Sequence, residues 1–229
     1  MRRKILTSLV LTISFAGLIQ ALAVYASGQR IVDKIVATVS DGVRTELITM
    51  SDLKWQLALQ PNTQLSPMDS DDLNRALQLM INQRIFALEA ERLPRNTPTD
   101  EEIKKKTAEI LSFFRNAAEF EVRLRTVGFT SVKDENFERI IAQRVAIDKF
   151  LDFRFRSFVV VTAEDEANYY REIFVPDFRK RFPGVLMPTL EEKRREINEI
   201  LTEERIAIAI ESFLDEAKRR VEIVILSDV

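Results

Sequence analysis

The chain has 229 residues, 31% of them charged, with no cysteine and no histidine. Those two absences remove the usual zinc and copper ligands, a thiol nucleophile, every Ser-His-Asp arrangement and any disulfide framework. Three of the 34 Lys+Arg lie in the first four residues, so the remainder carries 31 against 36 Asp+Glu, a balance that argues against a nucleic-acid partner.

Met1 to Lys4 is basic, Ile5 to Leu22 is mostly apolar, and the small-x-small triplets Ala21-Leu22-Ala23 and Val24-Tyr25-Ala26 follow. That order predicts a secretory signal peptide over 1–26, or an anchor if it stays uncleaved. Residues 27–229 are then one domain. Ile35 to Val39 is a β-branched run, Asp41-Gly42 a turn signal, and Leu47 to Thr49 a second short run. Gly42 to Glu46 reads as an insertion in the turn, and Ser51 as the cap of a first helix carrying Leu53 and Trp55. A hairpin alone is marginal in water, so a third strand is expected, and Val221 to Leu226 at the far end of the sequence supplies one.

Asp69 to Asp72 opens a long helix to about Leu93, with Leu73, Leu77, Met80, Ile81 and Leu88 on one face. Thr99-Asp100-Glu101-Glu102 is a capping box for the next helix, and a shorter helix near Ala118 to Val127 ends at Gly128. Ser131 starts another long helix. Its main stripe is Phe137, Ile140, Ile141, Ile147, Leu151 and Phe155, with Phe150 and Phe153 roughly opposite. Residues 69–161 are read together as a helical arm. Thr162 caps a short helix, and Arg171 to Pro188, with three prolines and Gly184, is expected to be a connector without regular structure over most of its length.

Thr189-Leu190-Glu191-Glu192 is a further capping box, opening a helix to about Arg219. Its apolar face switches partway. Ile197, Ile200 and Leu201 share one side, whereas Ile206, Ile210, Phe213 and Leu214 share the other. Such a helix packs on two different bodies, first the arm and then the hairpin. The fold class is therefore mainly α with a small β-sheet.

The sequence has no GxGxxG, P-loop or nucleophile elbow, and its carboxylate pairs sit at helix starts or on polar faces. No catalytic, cofactor-binding or metal-ligating residue is assigned, and no cofactor or small-molecule substrate is expected.

Asp33-Lys34-Ile35-Val36-Ala37-Thr38-Val39-Ser40-Asp41, followed by Ile48 to Leu53, resembles the opening of SurA-like periplasmic chaperones. Leu79 to Arg92, the Pro98 to Ile103 helix start, Val161 to Tyr170 and the final helix ending in Arg219-Arg220-Val221-Glu222-Ile223 are similar to that family in the same order. The resemblance implies a helical chaperone core that closes its two ends together and binds unfolded exported or outer-membrane proteins. Members usually carry parvulin prolyl-isomerase domains, where this chain has only residues 171–188, and the chain has no histidine for a parvulin site. The resemblance therefore implies the scaffold without the isomerase: a non-enzymatic periplasmic chaperone. Membrane contact is expected only through an uncleaved N-terminal segment. A chaperone needs exposed aromatic surface, and the aromatics off the main stripes are Phe86, Phe113, Phe150 and Phe153. The second reading is a structural subunit that docks on one fixed partner, with an uncleaved N-terminal segment as its anchor.

Overall fold

The β-branched segment Ile35–Ser40 (β1) pairs antiparallel with Thr45–Thr49 (β2). The turn between them is held by Asp41, whose Oδ1 accepts the N–H groups of Val43 (3.0 Å) and Arg44 (2.7 Å), and Gly42 takes φ +83°. Thr45 and Glu46, expected in the turn, instead pair with Ser40 and Val39, so the loop is only Asp41 to Arg44. The computed structural model describes residues 33–92 and 97–229, and the expected signal segment over 1–26 lies outside them.

Glu222–Ile225 (β3) adds to the other edge of β1 with Ala37 opposite Ile225 and Ser40 opposite Glu222, giving the order β2-β1-β3. This is the predicted closure. Each strand satisfies backbone groups the hairpin could not satisfy alone. Leu226 extends the pairing by donating its N–H to the Val36 carbonyl at 2.9 Å.

Helix α1 (Met50–Ala58) follows β2 without a linker. Its cap is Thr49 rather than Ser51. Thr49 still has the extended backbone of β2, and Asp52 stands three residues on to complete a capping box. Helix α2 (Ser70–Ala90) starts at the Asp69 cap as expected. Its Leu77, Ile81, Ile85 and Leu88 pack with Val36, Val39 and Ile48 of the sheet in one apolar cluster. Residues 69–161, read as a helical arm of the single core, are anchored in the sheet's apolar cluster through α2.

A second cluster joins the end of α1 to α3 (Asp100–Ser112), α4 (Ala117–Thr126) and the first half of α5 (Glu135–Arg154). Phe120, Phe137, Leu124 and Ile141 are fully buried there. Ser131 forms the turn before α5, and Asp134 is its cap, accepting the N–H of Asn136. Helix α5 changes cluster along its length. Phe137, Ile141 and Val145 belong to the second cluster, whereas Ile147 and Phe150 belong to the sheet's.

Arg123 of α4 ties the clusters together. Its guanidinium donates to the carbonyls of Leu57 (2.9 Å), Ala58 (3.1 Å), Gln60 (2.8 Å) and Thr63 (2.8 Å). Helix α1 has no basic residue in its own last turn, so this cation from another helix satisfies the carbonyls and the negative dipole end.

After a 3₁₀ turn at Arg156–Phe158, α6 (Ala163–Tyr169) starts at the Thr162–Asp165 capping box. A π-helical turn, Tyr170–Phe174, carries it into α7 (Val175–Arg181). The stretch expected as an irregular connector is therefore helical as far as Arg181. The long helix α8 (Leu190–Lys218) returns from the Thr189 capping box to the sheet, where Phe213 and Ala217 are buried. Its predicted change of face is present; its first half packs chiefly on α6, and Glu203 also pairs with Arg156 of residues 69–161 at 2.6 Å.

Candidate functional site

The four aromatics picked out in sequence are not brought together. Phe86 and Phe150 are 8% and 3% exposed and stack around Phe213, at 6.3 and 5.9 Å between ring centroids. They are core residues, contrary to the expectation that they line a client surface. The reason is that the returning end of α8, through Phe213, covers the side of α5 opposite its predicted stripe. Phe113 and Phe153 are exposed, at 62% and 60%, but Phe113 ends α3 and Phe153 sits near the end of α5. Phe153 edges a hollow of about 210 Å³ with Glu89, Arg92 and Arg154.

A different aromatic group is assembled on the helix that continues from α6 to α7. Tyr170, Phe174, Phe178 and Phe182 recur every fourth residue and so share one face. Successive ring centroids are 5.5, 5.7 and 5.1 Å apart. Pro176 has no N–H for the carbonyl four residues back, and its ring crowds that carbonyl. The wider π turn immediately before it lets the helix run on past the proline, which keeps the four rings in one row.

The two sides of this helical pair part toward their tip. At the base, α6 is fastened to α8. Asn198 Nδ2 donates to the buried Glu166 at 2.7 Å, Arg194 lies 3.4 Å from the same carboxylate, and Arg205 pairs with Asp165 at 2.7 Å. Ile197 is buried between them. Farther along, α7 has no comparable packing on α8. The gap is a cleft of about 350 Å³ lined by Phe174, Phe178, Phe182 and Ile200, with Lys193 and Glu196 at its side. Lys193 Nζ lies 5.9 Å from the centre of the Phe174 ring. Tyr170 closes the far loop by donating its hydroxyl to the Pro188 carbonyl at 2.6 Å.

The cleft sets the rings of Phe174, Phe178 and Phe182 against the charged side chains of Asp177, Arg181, Lys193 and Glu196. Burial, and then the carboxylates of Glu204, Asp177 and Glu196, push the Tyr169 phenol above its ordinary range, so it is a neutral hydroxyl near pH 7. Among the described residues, no group of three or more His, Cys, Asp or Glu side chains is placed to hold a metal ion. Among the same residues, no helix is long and apolar enough to cross a membrane. The row Tyr170-x-x-x-Phe174-x-x-x-Phe178-x-x-x-Phe182 was legible as a helical stripe, but Pro176, Pro183 and Gly184 mask it as a loop.

No known protein family matches the chain, and neither does any curated protein.

Proposed function

We propose that this protein is a non-enzymatic periplasmic chaperone of the SurA-like kind, which holds unfolded exported polypeptide in the cleft between α7 and α8. The observation that carries the reading is the aromatic row beside an open groove that sets apolar rings against charged side chains. Aromatic rings give large contact area at little entropic cost and need no particular sequence in the bound chain. A groove of mixed charge, with Asp177 and Glu196 beside Arg181 and Lys193, selects no one client charge. The sheet that joins the hairpin to the C-terminal strand supports the same reading, since the resemblance implies that closure.

The test is suppression of aggregation of two unrelated unfolded proteins by the wild type and by the Phe178→Ser/Phe182→Ser variant. Wild type should protect both. The variant should lose most of that protection while melting near the wild-type temperature, because both rings are at least partly exposed. Protection that survives the double substitution would remove the cleft from the function. Failure of wild type to protect either client, with one partner co-purifying instead, would favour the dedicated-subunit reading.

A further inference from the structure

The loop that joins α7 to α8 combines two features that the cleft does not explain. Phe182 to Pro188 is seven consecutive uncharged residues, Phe-Pro-Gly-Val-Leu-Met-Pro. Gly184 turns it at φ +84°, and Val185 donates its N–H back to the Phe182 carbonyl at 3.2 Å. That turn presents Val185 and Leu186 at 59% and 92% exposure, and no other large apolar side chain among the described residues is more exposed than Leu186. The loop is flanked on both sides by cations, Arg179-Lys180-Arg181 before it and Lys193-Arg194-Arg195 after it. The segment from Arg179 to Arg195 contains six cations and two carboxylates, Glu191 and Glu192, although the whole chain is net −2. Glu192 is engaged in the helix cap with Thr189. Arg181 pairs with Asp177, Lys193 with Glu196, Arg194 with Glu191 and Glu166, and Arg195 with Glu199, whereas Arg179 and Lys180 are exposed and in no ion pair among the described residues.

We propose that this tip docks on an anionic lipid surface, with Val185 and Leu186 entering the headgroup–acyl boundary and Arg179 and Lys180 held at the lipid phosphates. An exposed apolar turn with two unpaired cations behind it fits a bilayer interface in both of its layers. A soluble protein partner has no reason to match that order, apolar at the point and positive behind it. The loop is short, so the contact is superficial, only about 5–10 Å deep. It does not depend on the N-terminal stretch or on what the cleft binds. It places the open end of the cleft next to a membrane, where exported chains are handled.

The absence of cysteine allows a direct test in the full chain. Leu186→Cys carries an environment-sensitive fluorophore, and Ser112→Cys at the end of α3 serves as the control position. Vesicles are three parts phosphatidylcholine to one part phosphatidylglycerol, or phosphatidylcholine alone. The Leu186 label should shift to the blue on the anionic vesicles and be quenched by shallow spin-labelled lipid, and the control label should not. Adding Arg179→Glu/Lys180→Glu should weaken the response at least about tenfold, as should raised salt. An unchanged Leu186 signal, an equal response on neutral vesicles, or indifference to the charge reversal would overturn the proposal. A label that responds to an unfolded polypeptide but not to vesicles would also overturn it, assigning the loop to the cleft instead. Because the readout is local, a membrane-bound N-terminus cannot mimic it.

Discussion

Two groups of aromatic rings in this protein have similar spacing and opposite fates. Phe114, Phe120, Phe129 and Phe137 touch at 4.8, 6.0 and 5.7 Å, and Phe174, Phe178 and Phe182 touch at 5.7 and 5.1 Å. The first group comes from α4, α5 and the segments that precede each, so each ring is covered from several directions. The second comes from one helix and its end, so each ring has neighbours above and below and an open side. Ring contacts along one helix add a fraction of a kcal/mol each. They do not remove the rings from water, which takes a second element. The difference teaches that an aromatic stripe becomes core only where another part of the chain returns to cover it. In α6–α7 the return of α8 covers the base and leaves the tip open.

The comparison is most sharply tested at Phe137. Truncation to alanine there should destabilise by about 3–5 kcal/mol, because a fully buried ring is lost and a cavity remains. Thermal or urea unfolding reads that directly, and a loss under about 1 kcal/mol would mean the second cluster is not a packed core. A smaller but still large effect is expected at Arg123. Arg123→Met keeps much of the stem but removes a donor from four carbonyls, of which Leu57's keeps the Gln60 N–H, and the cation from the end of α1, for about 2–3 kcal/mol. Arg123→Lys should recover only part of this, since an ammonium cannot reproduce the planar fork. Equal stability of the Lys variant and wild type would show that charge alone suffices.

Much of the fold was legible because the deciding signals are local. The capping boxes at Thr99, Thr162 and Thr189 fix three helix starts, since threonine with an acid three residues on satisfies two orphan N–H groups at once. That β3 joins the hairpin followed from unsatisfied strand edges, although the choice between β1 and β2 did not. The candidate site was harder to read for two physical reasons. Periodicity identifies which residues share a helix face but not how many faces are covered, so Phe150 opposite its stripe looked free until α8 placed Phe213 against it. Proline and glycine dominate a local reading of residues 171–188, yet a π turn absorbs Pro176 and the helix survives. The row of four aromatics at a spacing of four was the overlooked signal.

The opposite side of the comparison predicts small effects where exposure is high. Phe153→Ser should change stability by less than about 1 kcal/mol, as at other solvent-facing positions. Phe150→Ser, three residues earlier, should cost several kcal/mol because its ring is closed in by Phe155 and Phe213. Melting of the two variants side by side checks this. Similar losses for both would mean that Phe153 is covered in solution and that the end of α5 has a partner.

The finest distinction between the regions should appear in acid. On the helical pair and its junction, Asp165 is held below its ordinary value chiefly by the Thr162 N–H and then its hydroxyl, Glu192 by the same groups of Thr189, and Glu203 by the Arg156 guanidinium. In the sheet region the Arg44 and Val43 N–H groups, with Arg92, hold Asp41 down to about 2 from an ordinary 3.8. A carboxylate whose value is lowered by folding contributes stability that is complete above its unfolded value. That contribution is lost as pH falls through the folded one. Both regions should therefore weaken below about pH 4–5, where unfolded carboxylates begin to bind protons. The sheet region retains two buried apolar clusters when its carboxylates are neutral. The open end of the helical pair has only its caps, ion pairs and half-covered row. Hydrogen exchange along a pH series should then show Ala163 to Arg181 losing protection at a higher pH than Glu135 to Arg154. Asp165→Asn keeps a capping oxygen but drops the pair with Arg205, so it should flatten the pH dependence of the first segment and leave the second unchanged. Simultaneous loss of protection in both segments, unaffected by that substitution, would mean that they unfold as one unit and that the open cleft carries no separate weakness.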